Sequence, residues 1–432
     1  MNSELKYQTE DIKSIFLELI DIHNIKYCLL SEYFGAIGGD IDIYIYPSSQ
    51  NDFKMLLKKD DFFYQKYSPA YENHYFYYFK KDGYRALKVD VKYELSFYDK
   101  TDNVYRIFDF DIKLIDEGLH KTIYGNIAKY YHSVIFYAAK CAFVEKQKLE
   151  LRQINALKNY IESFVSKISD TKEKTIIQEL YRVVETIDDI DRVSLEIRVI
   201  LLPFFMQKLT GKTLFKRMVA RIKRIGNSKF SILFLGSDGS GKTTTIEYIK
   251  KELDIPMVSI YGGVGKDGWI FSSLYKLREN NKKSSFIKKV IINKLFLYFL
   301  YPLDLFARKL RIIVSGNHRL LLIDRCPELL INNKLTKYLH KYIFPTPNII
   351  VLLKASPEVL VSRKPTELDN NLAKIKLANE SNLAKYYEKD NIILMEIDTS
   401  IESVNNAKQM IESEIWKLKE FKESLFKKGY FK

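Results

Sequence analysis

The chain has 432 residues and a formal net charge of +15 at neutral pH. That length exceeds one ordinary hydrophobic core, so two or three domains are expected. Ordinary apolar content with many Tyr and Phe residues excludes large-scale disorder, and the basic balance suits either polyanionic partners (nucleotides, nucleic acid, an acidic membrane surface) or a solvated basic face.

Residues 1–125 alternate strand and helix patterns. Stretches 26–30 and 41–46 read as strands, and 75–79 and 84–91 flank Asp82-Gly83, a hairpin signal. Asp40 and Asp42 stand two apart on a strand, so their side chains share one face. Asp90, within Lys88-Val89-Asp90-Val91-Lys92, can reach the same place from a neighbouring strand. Three clustered carboxylates repel one another without cations, and a pair of Mg²⁺ ions so held suits nucleotidyl transfer. An Asp-x-Asp pair on a strand edge also occurs as surface decoration. From 126 to 207 the pattern turns helical, with apolar residues at three- and four-residue spacing in 127–143 and 149–168.

The segment Gly38-Gly39-Asp40-Ile41-Asp42, the hairpin with Asp90 and the following helices resemble the nucleotidyltransferase superfamily that includes DNA polymerase β, over residues 20–205. The resemblance implies an α+β domain with a helical bundle, in which Asp40, Asp42 and Asp90 hold metal. The family places Gly-Ser or Gly-Gly at the end of the preceding strand to grip a triphosphate; here that place is Leu30-Ser31-Glu32. An active transferase, an inactive acceptor-binding relative and a user of another donor all remain open.

Between 208 and 228, Lys208, Lys212, Lys216, Arg217, Arg221, Lys223 and Arg224 occur with no acidic residue. Phe215, Met218, Val219, Ile222 and Ile225 form a helical apolar stripe among them. The segment reads as a connecting helix packed on one domain or as an amphipathic helix making peripheral contact with an anionic membrane.

From 229 to 432 the rhythm is strand, helix, strand, with apolar strands at 231–235, 257–261, 320–324, 349–353 and 392–397. Such strands suit a five-stranded parallel sheet covered on both faces, an α/β class. The last helix is expected around 411–426. The stretch Gly236-Ser237-Asp238-Gly239-Ser240-Gly241-Lys242-Thr243-Thr244 fits the phosphate-loop pattern G-x-x-x-x-G-K-[ST], between an apolar run and a helical run at 245–253. Its glycines let backbone N–H groups wrap an anion, Lys242 reaches the β and γ phosphates, and the Thr243 hydroxyl ligates Mg²⁺. A nucleoside triphosphate, read as ATP, is the expected ligand. Asp324-Arg325 closes the strand at 320–324. There Asp324 can hold Mg²⁺, orient an acceptor or cap a helix, and Arg325 can clamp acceptor oxygens. Arg363 and Lys364, before Pro365-Thr366-Glu367, suit a lid closing over the transferred phosphoryl group or a solvated helix end.

These three motifs together resemble the thymidylate kinase-like group of phosphate-loop kinases, over residues 229–410. By that resemblance Lys242, Thr243, Asp324, Arg325 and Arg363 inherit phosphate, metal, acceptor and lid roles in ATP-dependent phosphoryl transfer to a small acceptor. The chain departs from true thymidylate kinases in Tyr261-Gly262-Gly263-Val264-Gly265-Lys266, which replaces an Arg-Glu-Pro-Gly-Gly stretch, and in Cys326-Pro327 after the Asp-Arg pair. A basic, aromatic insertion at 266–318 fills the acceptor side. The acceptor is expected to be a nucleotide, a sugar or a glycolipid precursor, by analogy with divergent kinases of surface-polysaccharide synthesis. Two other functions stand beside this one: nucleic-acid end processing by a kinase and a nucleotidyltransferase, and a non-enzymatic ATP-gated scaffold.

The six histidines show no ligand spacing, and Cys28, Cys141 and Cys326 form neither a metal-ligand set nor a disulfide framework, which suits a reduced, cytoplasmic setting. The polar start does not read as a signal peptide, and the longest apolar run, 295–301, is too short to span a bilayer.

Overall fold

The computed structural model describes residues 8–428 except 31–39, 60, 67–73, 82–83, 85, 100–101, 103, 109–119, 123–124, 129, 144–150, 187–188, 209–218, 220–221, 223–224, 227–228, 254, 264–300, 327–337, 339–341, 343–345 and 388–391. The Asp82-Gly83 turn, most of the basic stretch 208–228 and most of the apolar run 295–301 therefore lie outside the described residues. The chain divides into two compact units, 1–220 with 427–432, and 221–426.

In the first unit the strands are β1 (Tyr27–Leu29), β2 (Asp40–Ile45), β3 (Phe62–Gln65), β4 (His74–Phe79), β5 (Leu87–Lys92), β6 (Ser96–Asp99), β7 (Val104–Phe108), β8 (His120–Thr122), β9 (Gly125–Ile127) and β10 (Phe205–Lys208), and apolar residues alternate along β5 as Leu87, Val89 and Val91. The main sheet runs β3-β4-β5-β2-β1-β9-β8, with the C-terminal strand Phe426–Lys428 beside β3 at its edge. β4 and β5 pair antiparallel, His74 opposite Lys92 through Phe79 opposite Leu87. β2 and β5 pair parallel, with Asp40 opposite Lys88 and Asp42 opposite Asp90. A smaller sheet runs β10-β7-β6. Helices Tyr130–Ala142, Leu151–Phe164, Thr171–Thr186 and Ile190–Leu201 follow. Their periodic apolar faces bury Val134, Ala138, Leu157, Ile161, Leu180 and Ile197 in the same core as Ile43 and Val91. Asp99, 1 % exposed, accepts hydrogen bonds from Arg106 at 3.0 Å and Arg198 at 3.0 Å, joining β6 and β7 to the helix Ile190–Leu201.

In the second unit, β11 (Phe230–Leu235), β12 (Met257–Tyr261), β13 (Leu320–Asp324), β14 (Ile349–Lys354) and β15 (Ile393–Asp398) form a parallel sheet in the order β12-β13-β11-β14-β15. β11 is buried throughout, and β13 and β14 are buried in all but their last residue, as a sheet covered on both faces requires. β13 and β14 lie on opposite sides of β11, so the chain reverses its direction of travel across the sheet there. The carboxyl ends of strands at such a reversal border a crevice in open α/β sheets. The helix Lys242–Glu252 follows β11, and Tyr301–Ser315 precedes β13. In that second helix Arg308, 3 % exposed, pairs with Asp304 and donates to the Tyr261 carbonyl at 2.5 Å and the Gly263 carbonyl at 3.2 Å, pinning the chain as it leaves β12. The expected final helix at 411–426 is instead two helices, Val404–Lys417 and Lys419–Leu425. Leu418 between them is extended, and the turn lets Trp416, Phe421 and Phe426 pack on one another.

Candidate functional site

Three glycines shape the loop between β11 and the helix Lys242–Glu252. Gly236 leaves the strand at φ +147°, and a Cβ there would sit 2.4 Å from the Leu353 carbonyl oxygen and 2.5 Å from Ser240 Oγ. Gly239 and Gly241 follow at φ +86° and +85°. Residues of this backbone class turn successive N–H groups toward one concavity, a seat for an anion at a helix N-terminus.

Lys242 starts the helix and is only 4 % exposed. Its ammonium folds back into the loop, donating to the Gly236 carbonyl at 2.5 Å, the Ser237 carbonyl at 2.7 Å and Ser240 Oγ at 3.5 Å. Burial, joined by the neighbouring Arg325 guanidinium, pushes its pKa down to about 8.

Asp324 ends β13, in register with Phe234 of β11. One of its oxygens accepts from Thr243 Oγ1 at 3.5 Å. The other, Oδ1, is buried and finds no hydrogen-bond partner among the described residues. Burial pushes this carboxyl upward, against the pull of Lys242, Arg325 and the Thr243 hydroxyl. Arg325 takes a left-handed backbone, φ +69°, and its N–H donates to the Phe234 carbonyl at 3.0 Å. That strained residue turns the guanidinium onto Asp238 Oδ1. The other oxygen of Asp238 accepts from Lys376, on the helix Asn370–Tyr387, at 2.8 Å. Burial works to raise the Asp238 carboxyl, but the bonds from Lys376 and Arg325 outweigh it and hold it well below the usual carboxylate range.

Arg363 ends the helix Pro357–Arg363 and donates to the Gly239 carbonyl at 3.0 Å, Thr399 Oγ1 at 3.1 Å and the Thr399 carbonyl at 2.8 Å. Lys364 pairs with Glu367 at 3.0 Å. A cavity of about 440 Å³ opens here, bordered by Asp238, Gly239, Gly241, Lys242, Thr243, Thr244, Arg325 and Arg363. That volume falls within the range of small-ligand pockets. Gly236, Ser237, Ser240 and Asp324 do not border it; within the loop, Ser237 and Ser240 are buried.

The cavity has a wall that the motifs did not reveal: Thr399, Glu402, Ser403, Val404 and Ala407. Thr399 follows β15, and Ser403 caps the next helix by accepting from the Asn406 N–H at 3.1 Å. The usable signal was topological, since parallel strands all end on the edge where the glycine loop lies.

In the first unit, Asp40, Asp42 and Asp90 each offer an oxygen within 4.8 Å of the others. Two lysines close on them. Lys88 bridges Asp40 at 3.5 Å and Asp90 at 3.2 Å, and Lys140 of the helix Tyr130–Ala142 pairs with Asp42. Desolvation opposes the Lys140 ammonium, but Asp42, Asp40 and Asp90 outweigh it and push its pKa up. Neither lysine was singled out from the sequence, because register and helix packing bring them in. Gly38, Gly39 and the Ser31-Glu32 pair lie outside the described residues.

No family model matches this chain, and no curated protein matches it in sequence. Among solved structures it is similar to a deoxyadenosine kinase from M. mycoides with the products dCMP and a flexible dCDP bound, at TM-score 0.28 and 14 % identity over 44 % of this chain and 100 % of that one. It is similar to the same kinase with bound dATP at TM-score 0.28 and 14 % identity, over 42 % of this chain and 96 % of that one. Among the described residues no helix is long and apolar enough to cross a membrane.

Proposed function

We propose that residues 229–432 form an ATP-dependent kinase that moves a phosphoryl group to a small acceptor, of nucleotide, sugar or glycolipid-precursor class. The observation that carries this reading is the Lys242 ammonium, buried and bonded to neutral oxygens of its own loop. A desolvated cation held by neutral groups gains strongly from an anion. In the proposed reaction Lys242 leaves the Gly236 and Ser237 carbonyls for the β and γ phosphates, while the amides of residues 236–244 hold the phosphate chain. Arg325 and Arg363 border the same cavity and add positive charge where charge develops during transfer. Asp324 Oδ1, unpartnered among the described residues, fits Mg²⁺, as does the Thr243 hydroxyl bonded to the other oxygen of that carboxylate, and those two residues would hold it. Bound Mg²⁺ supplies charge neutralisation on the phosphate oxygens. The wall made by Thr399, Glu402, Ser403, Val404 and Ala407 suits the rest of the donor nucleotide.

The test is γ-labelled ATP incubated with fractionated metabolites and either wild type or Asp324→Asn. Label should pass to one small molecule with wild type and drop sharply with the variant. If no molecule takes label, the kinase reading falls and the nucleotide-gated scaffold gains.

For the first unit we propose the division 1–125 as a nucleotidyltransferase-like α+β domain and 126–207 as its helical subdomain, with 208–228 as a linker. The specific support is the carboxylate trio, whose spacing suits a divalent cation and whose repulsion favours one. Asp40, Asp42 and Asp90 would hold that cation, and Lys140 would have to give up Asp42.

A further inference from the structure

We infer that Asp238 is an internal stand-in for a phosphoryl group, and that Lys376 is the cation it keeps in reserve beside Arg325. This rests on the kinase reading above. It adds a phosphate-contacting residue that no motif supplies and an internal competitor that the incoming group must displace.

The geometry is that of an occupied anion clamp. Asp238 splits its carboxylate between two cations, Arg325 on Oδ1 and Lys376 at 2.8 Å on Oδ2. The two oxygens of a carboxylate present the same kind of paired acceptor as two oxygens of a phosphoryl group, so a site built for one is close to a site for the other. The three side chains are partly exposed, at 34 % for Arg325, 24 % for Asp238 and 28 % for Lys376, so the pair of ion pairs is not sealed in the core. Asp238 and Arg325 border the cavity, and Lys376 is one hydrogen bond away from it.

The rest of the loop behaves the same way. Lys242 rests on carbonyls of its own loop, and Arg363 rests on the Gly239 and Thr399 carbonyls. Lys242, Arg325, Arg363 and Lys376 thus each have a partner within the protein itself. Asp238 differs in being charged, so its grip is the strongest of these and competes directly with a ligand. Its depressed pKa keeps it ionised, which leaves it a weak base and suits a role as counter-ion rather than as proton acceptor. Lys376 also sits on the helix Asn370–Tyr387, which follows the Arg363 segment in the chain, so its transfer from Asp238 to phosphate would couple that helix to loading of the site.

The experiment compares a fluorescent diphosphate, mant-ADP, with a non-hydrolysable fluorescent triphosphate, mant-AMPPNP, both with Mg²⁺, on the full chain. Wild type should hold the triphosphate more tightly. Lys376→Met should shrink that preference by about tenfold while mant-ADP affinity stays within about twofold, the size expected for one charge-assisted contact. Lys376→Arg should restore it, which a merely structural lysine would not require. Asp238→Asn, with the competitor neutralised, should widen the preference. An unchanged preference in Lys376→Met overturns the inference, as does a narrowed one in Asp238→Asn. If wild type binds neither nucleotide, the nucleotide reading itself has failed and the inference falls with it.

Discussion

The molecule solves the problem of concentrated charge twice, in opposite ways. In the second unit cations gather around a loop of backbone amides, with Lys242, Arg325, Arg363 and Lys376 resting on carbonyls and one carboxylate. In the first unit carboxylates gather, and Lys88 and Lys140 hold three of them together. The first arrangement gathers four cations against a single bonded carboxylate, Asp238, and the second has an excess negative charge of one among its five groups. The contrast predicts different ligands: polyphosphate for the loop, a divalent cation for the trio. It also shows that the charge on a side chain says little until its resting partner is known.

The largest test of this contrast is on the loop. Lys242→Ala should lower phosphoryl transfer on the order of a hundredfold or more, read as label leaving γ-labelled ATP, because a preorganised cation in a water-poor site is lost. A matching loss on removing Lys140 from the first unit would erase the distinction between the two sites. Next, Gly236→Ala should destabilise the second unit by about 1–3 kcal/mol, read by denaturant unfolding, since a left-handed backbone is strained for any other residue. The neighbouring Leu353 carbonyl, 2.4 Å from the added Cβ, leaves no room to relax. In the first unit, Mn²⁺ titration followed by electron paramagnetic resonance should respond in both directions. Asp90→Asn, which removes a direct ligand, should weaken binding by about tenfold or more, and Lys140→Met, which frees Asp42, should strengthen it by about tenfold, the scale of changes in the groups that hold metal ligands. Indifference to both would mean that the lysines close the trio permanently.

The smallest effect is a proton. Burial lowers the Lys242 pKa to about 8, from an ordinary 10.5. Phosphate favours the charged form and raises the pKa again, so binding takes up a fraction of a proton once the pH approaches 8, and affinity falls as pH climbs past it. Calorimetry in buffers of different ionisation enthalpy reads that uptake, and Lys242→Arg should abolish it. The sign on folding stability is the reverse of the usual lysine case. The unfolded chain binds the proton more tightly, so the cost is full below about 8 and is relieved as pH rises toward 10.5.

How much of this was legible beforehand depends on distance along the chain. The loop is nine consecutive residues whose glycines and lysine state their own geometry, and the five parallel strands announce themselves as runs that are apolar almost throughout. Asp40, Asp42 and Asp90 were legible because a two-residue period and one strand pairing bring them together. Partners set by packing were not. Lys376 stands 138 residues from Asp238, and Lys140 stands 98 from Asp42. Nothing local to either lysine separates it from the many solvated lysines of so basic a chain. Thr399 to Ala407 were missed for a different reason: they are ordinary turn and cap residues, and only the shared edge of the sheet gives them a site to border. The split of the last helix at Leu418 was hidden because the helical period continues across it, while the aromatic contacts that bend the chain are tertiary.

Hydrogen–deuterium exchange with and without ATP and Mg²⁺ reads the two sites side by side. Peptides covering residues 236–244 should gain strong protection, because their N–H groups are the proposed phosphate ligands, while peptides from β2 and β5 stay as they were. Unchanged exchange across 236–244 at saturating nucleotide, with protection appearing at Asp40, Asp42 and Asp90 instead, would contradict the assignment of polyphosphate to the loop.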